Sequence, residues 1–147
     1  MNQYIESAYK EAIKAKELGE VPVGAVIVKN GKIIAKAHNL REKKKNTLAH
    51  AEILCIDKAC KKIDGWRLDN CEMYITLEPC MMCCGAIAQS RISKIYFCAL
   101  DDKNGCVITK ANILDVDITH KVEYEYIEDK RCSEILKDFF KKLREKK

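Results

Sequence analysis

Three absences narrow the reading of this sequence. No apolar run approaches ~18 residues, so no helix is expected to span a membrane. The opening residues, Met1-Asn2-Gln3-Tyr4-Ile5-Glu6, lack the charged and apolar blocks of a secretory leader. No repeat, low-complexity block or Pro/Gly-rich linker interrupts the 147 residues, which predicts one domain over 1–147. At this length roughly 70% of the unfolded chain's surface can be buried, so a metal is not needed to replace a missing core. What is present, 48% hydrophobic and 33% charged residues, fits a soluble globular protein.

The nine cysteines are an odd number, with no leader before them. Cys55, Cys60, Cys71 and Cys98 sit in hydrophobic surroundings like small apolar residues. A reduced, cytoplasmic setting is expected rather than a disulfide framework. Charge is uneven. Residues 1–129 carry 19 bases and 19 acids, so the whole excess of +5 falls in residues 130–147. A smaller basic knot, Arg41-Glu42-Lys43-Lys44-Lys45, precedes His50. Such a tail is either a solvated helix end or a contact for nucleic acid or another polyanion.

Hydrophobic periodicity predicts helices at 3–18, 47–62, from Pro79 onward, and at 133–142. Strands are expected at 23–29, 32–37, 72–77, 93–99 and 121–126, with Asn30-Gly31 as a two-residue hairpin turn. Residues 101–117 read as mostly loop. Thr47 or a neighbour is expected to cap the second helix, and proline suits the first turn of the third. Phe139 or Phe140 is expected to pack the last helix on the sheet, and Trp66 to be structural. The order α-β-β-α-β-α-β-β-α suggests a three-layer α/β/α domain around a sheet of about five strands. The first two strands should be antiparallel, and the later β-α-β step parallel.

Chemistry concentrates in a split motif. His50-Ala51-Glu52 is followed, after 26 intervening residues, by Pro79-Cys80-Met81-Met82-Cys83. His50, Cys80 and Cys83 can hold a zinc ion in three positions and leave the fourth to water, the arrangement of a catalytic zinc site. The i, i+3 spacing puts both sulfurs on one helical face, and a helix start favours the thiolate. His50 and Glu52, two apart, point in different directions, so Glu52 is placed to carry a proton rather than to bind the metal. The alternative is a purely structural zinc clip completed by Cys84, His38 or His120.

The motif pair is the zinc-deaminase signature. The match extends to Val21-Pro22-Val23-Gly24-Ala25-Val26, His38-Asn39, Thr47-Leu48-Ala49, Trp66-Arg67-Leu68, Thr76-Leu77-Glu78, Gly85-Ala86, Ser90-Arg91-Ile92 and Asp138-Phe139-Phe140. Over nearly its whole length the chain resembles the bacterial tRNA-specific adenosine deaminases. The resemblance implies the cytidine-deaminase-like fold, a homodimer, and conversion of the wobble adenosine of an arginine tRNA anticodon to inosine. Attack would come from a zinc-activated hydroxide on adenine C6. His50, Cys80 and Cys83 would be the ligands and Glu52 the proton shuttle. Asn39 would hydrogen-bond the nucleoside, Ala51 would offer a backbone contact, and Val21, Leu77 and Pro79 would line the base pocket. Asp101 would lie near the RNA backbone. The chain departs from the family's pattern at Leu100, Cys84 and Cys106-Val107-Ile108.

Zinc chemistry alone does not choose a base. Deamination of a free base, guanine above all, is the enzymatic alternative, and a zinc-containing RNA-binding module without turnover the other. The basic tail favours a polyanion, and Glu52 speaks against the module, since a structural site has no use for it.

Overall fold

The computed structural model describes residues 2–146. Lys147, counted above in the basic tail, and Met1 lie outside the described residues. Helix α1 (Gln3–Glu17) begins where the Asn2 side chain accepts from the Tyr4 and Ile5 amides, satisfying donors that have no partner inside the helix. Its buried face is Ile5, Ala8, Ala12 and Ala15, small enough for close approach to the sheet. At Gly24 a Cβ would fall 2.1 Å from the Ala8 carbonyl oxygen. Strands β1 (Gly24–Lys29) and β2 (Lys32–His38) are joined at Asn30 and Gly31, with φ of 52° and 76°, the paired left-handed geometry expected of Asn-Gly.

Next come β3 (Cys71–Ile75), β4 (Lys94–Phe97) and β5 (Glu123–Tyr126). The sheet order is β2-β1-β3-β4-β5. The β1 strand runs antiparallel to both neighbours, and β3–β4 and β4–β5 are parallel. Both faces are covered. Ala25, Ile27, Met73, Ile75 and Phe97 pack with α3 (Ala51–Ile63) and α4 (Met81–Gln89). On the opposite face Val26, Val28 and Tyr74 meet α1 and Cys132 of α5 (Lys130–Glu145). The alternation along β1 is the period-2 pattern of a strand buried on both sides. This is the expected three-layer, cytidine-deaminase-like architecture.

Several expected boundaries move, each for a local reason. The second long helix starts at Ala51 rather than 47, with His50 as its N-cap. The Asn46 side chain takes the Leu48 amide and its carbonyl the Ala49 amide, so the chain turns before the helix opens. The third helix starts at Met81 rather than Pro79, with Cys80 as N-cap. The Pro79 carbonyl is drawn away to the Cys106 amide and the Cys84 thiol. The last helix is longer than 133–142 because Asp129 accepts from the Arg131 amide and caps it three residues earlier. The knot before His50 is a short helix, α2 (Arg41–Lys44), that the sequence reading lacks. Cys132, Ile135 and Leu136 anchor α5; Phe140 is 40% exposed, and the ring it meets edge-on is Phe139. Trp66 is exposed, with Arg67 and Arg91 against its ring. All nine cysteines are free; Cys55, Cys71 and Cys98 are buried and Cys60 half-buried. Among the described residues no helix is long and apolar enough to cross a membrane.

Candidate active site

Backbone hydrogen bonds gather distant segments at one end of the sheet. Asn39 donates its amide to the Val23 carbonyl, Leu40 to Ala49, and Thr76 to Gly24. The Thr76 hydroxyl accepts from the Gly24 amide at 3.0 Å. The starts of α3 and α4 are thereby set side by side. His50 caps α3, Cys80 caps α4, and Cys83 stands in the first turn of α4. His50 Nδ1 lies 3.7 Å from Cys80 Sγ and 3.6 Å from Cys83 Sγ. The three ligand atoms all fall within 4.8 Å of one another. Tetrahedral zinc, with bonds near 2.3 Å to sulfur and 2.0–2.1 Å to nitrogen, would place sulfur and nitrogen about 3.6 Å apart. The donor set therefore fits zinc in type and in spacing.

The rival fourth ligands are occupied elsewhere. His38 Nδ1 is 2.8 Å from Glu11 Oε1, His120 Nε2 is 2.8 Å from the Ile92 carbonyl, and Cys84 Sγ faces the Pro79 carbonyl. Among the described residues, His50, Cys80 and Cys83 are the one group of histidine, cysteine and carboxylate side chains placed to share an ion.

Electrostatics single out the same residues. The Cys83 thiol donates to Cys80, and with His50 alongside it pulls Cys80 down to about 4 against the effect of burial. Cys83 is pushed far up by that same contact with Cys80 and by burial. Opposite shifts of this kind mark two sulfurs too close to be thiolates together without a cation beside them. His50 is raised, chiefly by Cys80. Glu52, 4% exposed in the first turn of α3, is pushed up to about 7 by burial, with the Cys80 sulfur adding to the rise and His50 opposing it. A carboxyl titrating near neutrality can both take and return a proton.

The remaining expected site residues are placed as follows. Asn39 is buried, its Nδ2 donating to the Val21 carbonyl and its Oδ1 accepting from the Arg41 amide, so two of its hydrogen-bonding positions are already used. Ala51 is fully buried in the first turn of α3, where backbone amides lack intrahelical partners. Val21 and Leu77 are partly buried against the core, and Pro79 is buried. Asp101 is half-buried, and its Oδ1 accepts from the Lys103 and Asn104 amides, closing its own turn.

Two buried carboxylates escaped the sequence reading of the site. Glu20, 1% exposed, accepts from the amides of Glu42 and Lys43 and so starts α2 beside Asn39. Glu78, 2% exposed, accepts from residues 101–109. The available signal for Glu78 was its isolation as the single charged residue from Met73 to Ser90; a carboxylate there must find donors.

The family model for MafB19-like deaminases matches residues 1–144. The tRNA-specific adenosine deaminase of Bacillus subtilis strain 168 is 49% identical over 98% of this chain and 91% of its own length. The chain belongs to the tRNA-specific adenosine deaminase family. As a hydrolytic deaminase it also has close structural likenesses. A solved structure from work on A-to-I editing by tRNA:A34 deaminases at the wobble position matches with a TM-score of 0.88 and 36% identity, over 91% of this chain and 99% of that one. The guanine deaminase of Bacillus subtilis matches less closely, with a TM-score of 0.64 and 30% identity, over 81% and 88%.

Proposed function

We propose that this deaminase converts adenosine to inosine at the wobble position of a tRNA anticodon, with an arginine tRNA as substrate. In this reading residues 1–147 act as one domain, as a homodimer in the cytoplasm. His50, Cys80 and Cys83 hold one zinc ion per subunit. The observation that carries the reading is Glu52. A buried carboxylate raised towards neutrality stands beside a zinc-fitting trio, in a chain 49% identical to a tRNA-specific adenosine deaminase.

Bound zinc supplies activation of water, bringing its pKa from about 15.7 to about 7. Glu52 takes the proton released as the water oxygen attacks adenine C6. It delivers that proton to the ring nitrogen N1 and carries a second to the exocyclic amine, which leaves as ammonia. Water is consumed, the C6–N bond breaks and a C6–O bond replaces it. Asn39 orients the nucleoside through the amide hydrogen and the oxygen lone pair that its internal contacts leave over. The Ala51 amide contacts the base, Val21, Leu77 and Pro79 bound its pocket, and Asp101 stands where the anticodon backbone passes.

The deciding experiment offers the zinc-loaded protein an anticodon stem-loop with adenosine at the wobble position, and separately free guanine, adenosine and cytidine. Inosine in the stem-loop alone is expected. Ammonia from guanine alone would make the chain a free-base deaminase, the reading that the guanine deaminase likeness favours.

A further inference from the structure

Glu78 is a carboxylate without a cationic partner among its contacts. Its Oε1 accepts from the Asp101 amide at 3.1 Å and from the Thr109 hydroxyl. Its Oε2 accepts from three successive amides, Val107 at 3.1 Å, Ile108 at 2.8 Å and Thr109 at 2.9 Å. Consecutive backbone amides converging on one oxygen form an anion-binding nest. Here the anion comes from the chain itself. Gly105 is shaped to the same carboxylate: a Cβ there would fall 2.3 Å from Glu78 Oε1 and 2.8 Å from the Asp101 carbonyl oxygen.

The residue also joins two regions. Its own amide donates to the Ala99 carbonyl at 2.8 Å, and the next carbonyl, that of Pro79, accepts from Cys106 at 2.9 Å. Residues 101–109 are thus wound around Glu78 and fastened to the segment that carries Cys80 and Cys83. The wound segment and its lead-in present Leu100, Lys103, Asn104 and Ile108 outward. The loop surface and the metal ligands are therefore held in one fixed relation by a side chain that is itself buried.

We propose that Glu78 is a positioning residue for substrate selection: it sets the 101–109 loop at the height from which that loop reads the nucleic acid around the target base. The inference rests on the tRNA reading above. Glu78→Gln is the direct test, because an amide has one acceptor oxygen, and its NH2 group would face donors where the wild type has a lone pair.

With the anticodon stem-loop as substrate, E78Q should raise KM at least tenfold. Its kcat should stay within about threefold and its zinc content at one per subunit, a pattern that marks lost binding rather than lost chemistry. Amides 107–109 should exchange with deuterium faster than in the wild type. Gly105→Ala, which displaces the same loop while keeping the charge, should move KM in the same direction. An active wild type with an unchanged KM in E78Q overturns the inference alone; so does a fall in zinc content or in kcat at constant KM. A wild type inert on the stem-loop overturns the tRNA reading and this inference with it. If E78Q does not fold, Thr109→Val decides, since it removes one donor and leaves the four amides. A KM raised about threefold supports the inference, and an unchanged KM ends it.

Discussion

At the scale of single residues, the site separates a proton carrier from three metal donors by direction as much as by chemistry. His50 leaves the chain at an extended N-cap, while Glu52 is already inside the helix, so two residues two apart serve different neighbours. Glu52→Gln keeps the shape and removes the proton-accepting oxygen. Turnover should fall by at least about a hundredfold, the low end of general acid–base effects. Zinc content, measured on the same preparation, should not change. Zinc lost together with activity would make Glu52 part of the donor set. The trio's meeting point was legible because histidine and i, i+3 cysteines have few other reasons to recur at two helix starts. Glu78 was not legible in the same way. Its partners lie 23 to 31 residues onward and are mostly backbone amides, which carry no mark in the sequence.

At the scale of elements, period and turn chemistry foretold every strand, the hairpin and four of the five α-helices among the described residues. The missing helix, α2, has four residues and no buried face. It exists because Glu20, on the far side of the β1–β2 hairpin in sequence, supplies acceptors for its first amides; periodicity cannot register such a helix. A second buried acid ties α1 to the end of β2. Glu11, 4% exposed, meets His38 Nδ1 and Lys14 Nζ at 2.8 and 2.9 Å. Burial would raise its pKa, but the His38 and Lys14 contacts more than offset this, and it sits below its ordinary value of 4.5. A carboxylate depressed on folding stabilises the fold above its unfolded pKa, and that stabilisation is lost as pH falls through the folded value. Glu11→Gln should lower the melting temperature by roughly 4 °C at pH 7, from a charged hydrogen bond worth about 1.5 kcal/mol. The gap between variant and wild type should close as the pH falls below 4.5 and through the lower folded value. Thermal melts across that range measure it, and a gap independent of pH would place the stabilisation in packing rather than in charge.

At the scale of the whole molecule, the decisive asymmetry is electrostatic. The excess of five positive charges falls at the C-terminal end, yet not all of it is available. Arg131 is committed to Glu6 and Asp129, and Lys142 shares Asp138 with Lys16. Lys130, Lys137, Lys141, Arg144 and Lys146 form no ion pair among the described residues. Their helix is anchored by Cys132, Ile135 and Leu136, so the charges ride on a fixed support. If this helix and the α2 knot together meet about five phosphates, log affinity against log salt should slope near −3.5 for a single-stranded loop. A fourfold rise in salt then weakens binding roughly a hundredfold. Truncation would remove the anchors along with the charges, so the sharper variant replaces Lys137, Lys141 and Lys146 with glutamine. Fluorescence anisotropy on the anticodon stem-loop should show the slope reduced by about 2, because each lost contact removes ~0.7. The Glu52-dependent chemistry should persist at saturating RNA, since none of the three lysines belongs to the zinc-fitting trio or its surroundings. A slope unchanged in the triple variant would assign phosphate contact to other surfaces and leave the terminal helix a solvated one.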